Sequence, residues 1–155
     1  MLSFSGILYL DAEKIEGYGE DAMTFKFDEN GNGYMFVFDG SGGAGSQQHL
    51  TLGSKKSAYI ASRGCALFLD KYLCIEKLRT DNEIEMFGKV LYSYLVELNR
   101  TFPMEPSHGN LVDVLPTTIS GIVVDNKDDT LLANFIWAGD SRGYILDSNG
   151  ISQVT

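Results

Sequence analysis

Two apolar stripes at helical spacing follow one another in the middle of this chain, with strand-like runs on both sides. In the first, Ala58, Ala61, Cys65, Phe68, Leu69 and Tyr72 recur three and four residues apart. Ile84, Phe87, Val90, Leu91, Tyr94, Leu95 and Leu98 repeat the pattern in the second. Such a stripe is stable only when buried against another element. The flanking runs at 4–10, 22–27 and 34–38, and at 117–124, 130–138, 143–146 and 151–155, are rich in aromatic and β-branched residues and read as strands. Strands, then two helices, then strands predict an α+β fold with the helices packed on antiparallel sheets.

The punctuation agrees. Asp28-Glu29-Asn30-Gly31-Asn32-Gly33 is dense in turn formers, so the runs beside it make a hairpin. Ser54 is the expected N-cap of the first helix and Asp81 or Asn82 that of the second, which Pro103 and Pro106 close. Turns are expected at 125–129 and 147–150.

At 155 residues with 44% hydrophobic side chains, the chain can build the core of one domain, 1–155. Its formal net charge of −9 argues against nucleic acid or an anionic membrane as partner, since both need clustered Lys and Arg. No run approaches the roughly 18 apolar residues of a membrane span, and no basic region precedes the first apolar stretch. Cys65 and Cys74, nine residues apart on one helical stretch, are too distant to bridge. Reduced thiols and a cytoplasmic location are therefore expected. His49 and His108 lie in loops without a second ligand at zinc spacing.

Residues 28–45 admit three chemical readings. Asp28, Asn30, Asn32, Gly33 and Asp39 follow the spacing of a calcium loop, but Tyr34–Phe38 inside it is strand-like where a helix should flank it. Gly40-Ser-Gly-Gly-Ala-Gly45 satisfies a dinucleotide-binding glycine pattern, but Leu50–Gly53 delays the helix that would receive the pyrophosphate. In the third reading, a strand ending in Asp39-Gly40 presents a carboxylate and a turning backbone at a sheet end. Glu20 and Asp21 stand just before the neighbouring strand. Hard oxygen donors of this kind suit Mg²⁺ or Mn²⁺. From spacing alone, a plain turn beside solvated acids explains Asp39 and Glu20-Asp21 equally well.

The residues also carry a family resemblance. Tyr34–Phe38 followed by Asp-Gly-Ser-Gly-Gly43 resembles the signature of the PP2C-type protein serine/threonine phosphatases, and Gly19-Glu20-Asp21 resembles their upstream acidic pair. Pro116-Thr117-Thr118, Ala138-Gly-Asp-Ser-Arg142 and the stretch from Asp147 to Thr155 resemble further motifs of that family, in the same order. The resemblance spans nearly the whole chain. It implies a β-sandwich of two antiparallel sheets flanked by helices, and a Mg²⁺- or Mn²⁺-activated water that hydrolyses phosphoserine or phosphothreonine in a phosphoprotein substrate. It further implies that Asp39 bridges two ions and that the Gly40 carbonyl binds one. Glu20 holds an ion directly or through water, and Asp21 stands beside it or just behind. Asp39 and Glu20 are thus the catalytic positions, while Gly139, Asp140 and Arg142 serve the architecture.

Three features depart from the family pattern. Ser41 stands where a histidine is frequent, and Glu16 where a phosphate-binding arginine is common. Two further metal-binding aspartates of the family fall beyond Thr155, so the resemblance implies a truncated domain completed by a further C-terminal segment or by self-association through an open edge. The alternative expectation is a PP2C-like module without catalysis, acting in protein–protein interaction.

Overall fold

The computed structural model describes Glu13, residues 15–72, Leu78, and residues 80–103, 115–127 and 130–155. The strand expected at 4–10, residues 128–129 of an expected turn, Cys74 and His108 lie outside the described residues.

The elements in chain order are β1 (Ala22–Phe27), β2 (Gly33–Phe38), β3 (Gln48–His49), β4 (Lys55–Lys56), α1 (Ser57–Tyr72), α2 (Asp81–Thr101), β5 (Ile119–Lys127), β6 (Thr130–Ala138), β7 (Tyr144–Asp147) and β8 (Gly150–Gln153). Among the described residues, β1-β2-β5-β6 form one antiparallel sheet of four strands, and β3-β4 and β7-β8 form two-stranded ribbons. The fold is α+β, with antiparallel sheets and two helices, as the order of patterns predicts.

The β1–β2 hairpin turns on Asp28. Its Oδ1 accepts from the Asn30 and Asn32 amides at 2.9 Å each, and its Oδ2 accepts from the Asn32 side chain. The carboxylate of the calcium-like spacing is thus committed to its own turn, and these bonds hold it below the usual carboxylate range.

Side chains alternate across the sheet. Tyr34, Phe36 and Phe38 of β2, with Val123 and Ile136 of the neighbouring strands, face the helices and are buried. Leu69 and Cys65 of α1 and Leu91 of α2 close the core over them. Phe36 lies across Gly121 of β5, occupying the space a side chain there would need. The helices meet where the Phe68 and Tyr94 rings stack, 4.6 Å between centroids. The opposite face of the sheet carries Phe25, Val37, Leu131 and Trp137, the last 52% exposed. Among the described residues no helix is long and apolar enough to cross a membrane.

Two helix starts differ from expectation. Helix α1 begins at Ser57, and Ser54 is not its cap. Lys55 and Lys56 pair with His49 and Gln48, and the connection closes through a 3-10 turn at Leu50–Leu52, with Gly53 and Ser54 at φ +65° and +62°. Backbone carbonyls cap α1 instead: Gln47 accepts from the Ser57 amide at 2.8 Å and Gly45 from the Ala58 amide at 3.0 Å. The glycine loop therefore sits on the N-terminus of α1, with Gly45 too close to Ala58 for any side chain. Helix α2 is capped by Thr80, one residue before Asp81, in a reciprocal box with Glu83. Strand β5 runs to Lys127, through residues expected to turn.

Candidate metal centre

The site lies where β1 begins and β2 ends. In the β1–β2 register Ala22 opposes Phe38. Asp21 and Glu20 come just before Ala22, and Asp39 and Gly40 just after Phe38, so all four stand at the same end of the pair. The sheet's own geometry thus delivers the Asp21 and Asp39 carboxyls to the same corner.

The backbone of Asp39 is held from the other side. Its carbonyl accepts from the Thr118 amide at 2.9 Å and from the Thr117 hydroxyl at 3.1 Å, and its amide donates to the Thr118 hydroxyl at 3.4 Å. The Ser41 amide donates to the Pro116 carbonyl, completing a bridge between Gly40 and Thr117. That bridge uses the groups on either side of Gly40, so the N–H and C=O of Gly40 itself point away from Thr117. Gly40 admits no side chain, since a Cβ would meet the Glu20 carbonyl and, at 2.6 Å, that of Ala58.

Asp140 reaches the same corner from the turn after β6. The Ser141 hydroxyl beside it bonds the Thr118 hydroxyl at 2.5 Å, tying this turn to the residues that fix Asp39. Burial raises the Asp39 carboxyl above the usual range, and Asp21, through its charge and a shared hydrogen bond, then Asp140 and Glu20, add to the rise. Asp39 therefore sits in the negative field of three other acids, a field that a cation would relieve. Asp140, which the resemblance makes architectural, belongs to this cluster; its signal in the sequence is the acid in Gly139-Asp140-Ser141.

Glu20 is turned elsewhere. Its carboxylate pairs with Lys56 at 2.5 Å and occupies the space over Gly42. Among the described residues, no three His, Cys, Asp or Glu side chains stand at ligand spacing. The four acids border the corner without converging on one point. Their chemistry fits a hard divalent ion: Asp21, Asp39, Asp140 and the Gly40 carbonyl are oxygen donors on one edge, and Glu20 can join them when it leaves Lys56.

A cavity of about 560 Å³ opens here, within the usual size of a ligand pocket. Glu20, Asp21, Asp39 and Gly40 line it together with Tyr18, Lys55, Lys56 and Tyr59. The lysines had no signal in the sequence, since nothing in 48–56 predicts a ribbon that carries them to the cavity. Glu16 lines a separate hollow with Glu13, Tyr59 and Arg63. There Glu13 already pairs with Arg63 at 2.6 Å. Ser41 is exposed at the sheet end.

Comparisons with protein-family models, with curated proteins and with solved structures find no match for this chain.

Proposed function

We propose that this chain is a Mg²⁺- or Mn²⁺-dependent phosphatase of phosphoserine and phosphothreonine in proteins, of the PP2C type. One observation carries the reading. Asp39 lies beside Asp21 where β1 begins and β2 ends, within the field of Glu20 and Asp140, in a cavity that Lys55 and Lys56 also line. The same two acidic positions, 20–21 and 39–40, bear the sequence resemblance.

In this reading Asp39, the Gly40 carbonyl and Asp21 would hold the ion, Glu20 would join directly or through water, and Asp140 would add negative charge beside it. A bound ion would supply a water acidic enough to ionise near neutral pH. The chain's own part is to fix the donors. The Thr117-Thr118 clamp fixes the Asp39 backbone, and Gly40 brings β1 and α1 close enough to keep the corner narrow. In this reading a water, and no protein side chain, would attack phosphorus.

A second reading, a non-catalytic PP2C-like module, is favoured by the exposed apolar sheet face carrying Phe25, Val37, Leu131 and Trp137. In the sandwich the resemblance implies, a second sheet covers that face. In the module reading, a partner protein covers it.

The deciding experiment is Mn²⁺-dependent hydrolysis of a phosphothreonine peptide by wild type and by Asp39→Ala. Hydrolysis abolished in Asp39→Ala supports the phosphatase reading. Hydrolysis that survives this change would remove Asp39 from the chemistry. Manganese binding without turnover in the wild type would favour the module.

A further inference from the structure

We infer that Lys55 binds the phosphoryl group of the substrate, taking the part that Glu16 cannot play; the inference rests on the phosphatase reading. The cavity beside Asp39 is lined by residues of both signs, the acids Glu20, Asp21 and Asp39 and the bases Lys55 and Lys56. A phosphoryl dianion facing a divalent ion at the acids would have its remaining oxygens free to meet a base. Lys56 is engaged, paired with Glu20 at 2.5 Å. Arg63, the next cation along α1, is paired with Glu13 at 2.6 Å.

Lys55 has no carboxylate partner among the described residues. Its ammonium donates to the Gly17 carbonyl and lies 3.5 Å from the centroid of the Tyr18 ring and 4.7 Å from that of Tyr59. The two rings hold the charge at the cavity wall without neutralising it. One of its three N–H donors is spent on Gly17, and the others are free to meet phosphate oxygens. The β3–β4 pairing fixes the backbone beneath it, with His49 opposite Lys55, and the ring faces limit the freedom of its stem. An ammonium ordered in advance loses less entropy on meeting its anion. Glu16 lines the neighbouring hollow with Glu13 and Arg63.

The test titrates inorganic phosphate into the wild type, Lys55→Gln, Lys55→Arg and Lys56→Gln, each with and without Mn²⁺, with Mn²⁺ binding measured in parallel. Lys55→Gln is expected to weaken phosphate binding about tenfold or more, the usual worth of a hydrogen bond to a charged group. It is expected to leave Mn²⁺ binding in place, and Lys55→Arg to retain most of the phosphate affinity. Phosphate binding in Lys55→Gln equal to wild type overturns the inference, as does a loss confined to Lys56→Gln. A second measurement needs no variant: phosphate should slow acetylation of Lys55 in the wild-type protein, read by peptide mass mapping, while exposed Lys26 reacts unchanged. Equal rates at Lys55 with and without phosphate overturn the inference. The phosphatase reading fails separately, through Mn²⁺ binding or hydrolysis indifferent to Asp39→Ala.

Discussion

Asp21 and Asp39 stand carboxyl to carboxyl at the open end of the β1–β2 pair, close enough to share a hydrogen bond. Two acids at this separation cannot both ionise without cost. Their opposition follows from the register that buries Phe36 and Phe38, since a slip of one residue would expose both rings and separate the acids. Core packing and the charge of the site are therefore set by the same pairing.

The metal-free protein should lose stability as pH rises. Burial, and then Asp21, raise the Asp39 carboxyl above its ordinary 3.8, so the folded state keeps this proton when the unfolded chain has released it. The favourable contribution is whole below pH 3.8 and disappears as pH climbs through the raised value. Because Asp39 is largely exposed, solvent screening limits the effect to under about 1 kcal/mol. Thermal melts between pH 4 and 7 should fall more steeply for wild type than for Asp39→Asn. Added Mn²⁺ should stabilise the wild type at neutral pH and leave Asp39→Asn nearly unmoved. Identical pH profiles for the two proteins would show that Asp39 carries no such strain.

Gly40→Ala tests the narrowness of the corner. The added methyl would meet two backbone carbonyls, of Glu20 and Ala58, and neither can swing aside like a side chain. Overpacking of this kind costs about 1–3 kcal/mol. Denaturant titration should show that loss, and Mn²⁺ affinity should fall with it as β1 and α1 are pushed apart. Gly43→Ala, with nothing near its added carbon, is the control and should change neither.

The strands with period-two patterns were legible in the sequence. The β1–β2 hairpin and β6, Thr130–Ala138, fall where alternating aromatics and β-branched residues predict them. The ends of the helices were less so. Ser54 and Ser57 offer the same local capping chemistry, and what excludes Ser54 is a pairing of Lys55 with His49 that no local preference encodes. Asp39, Glu20 and Asp21 were readable because strand ends and an acidic pair are sequence features. Asp140 joins them only through the β5–β6 pairing, which carries the chain back beside Thr118, and Lys55 only through the ribbon. The site was thus half legible: its acids lie along one hairpin, and its cations arrive by tertiary contact.

Helix α2 should depend on its cap. The Thr80 hydroxyl accepts from the Glu83 amide at 3.4 Å, and the Glu83 carboxylate accepts from the Thr80 amide at 2.9 Å. Thr80→Ala removes half of this exchange at an exposed site and is expected to cost about 1 kcal/mol. Thr80→Ser, which keeps the oxygen, should recover most of it in the same denaturant titration. Equal losses in both variants would mean that the methyl, not the oxygen, stabilises the start of the helix.

Cys65 should be unreactive in the folded protein. It is fully buried in the core cluster, and burial pushes its thiol up to about 12, so almost no thiolate forms at pH 8. Alkylation with iodoacetamide, followed by mass mapping of the peptide that contains Cys65, should show labelling only after denaturant is added. Because this thiol has no exposed surface, the labelling rate also reports the opening of the core. Phe36→Ala removes the ring that fills the space over Gly121. It should cost about 3–5 kcal/mol and speed labelling in proportion. Rapid labelling in the native wild type would mean that the helices do not hold the core closed over Cys65.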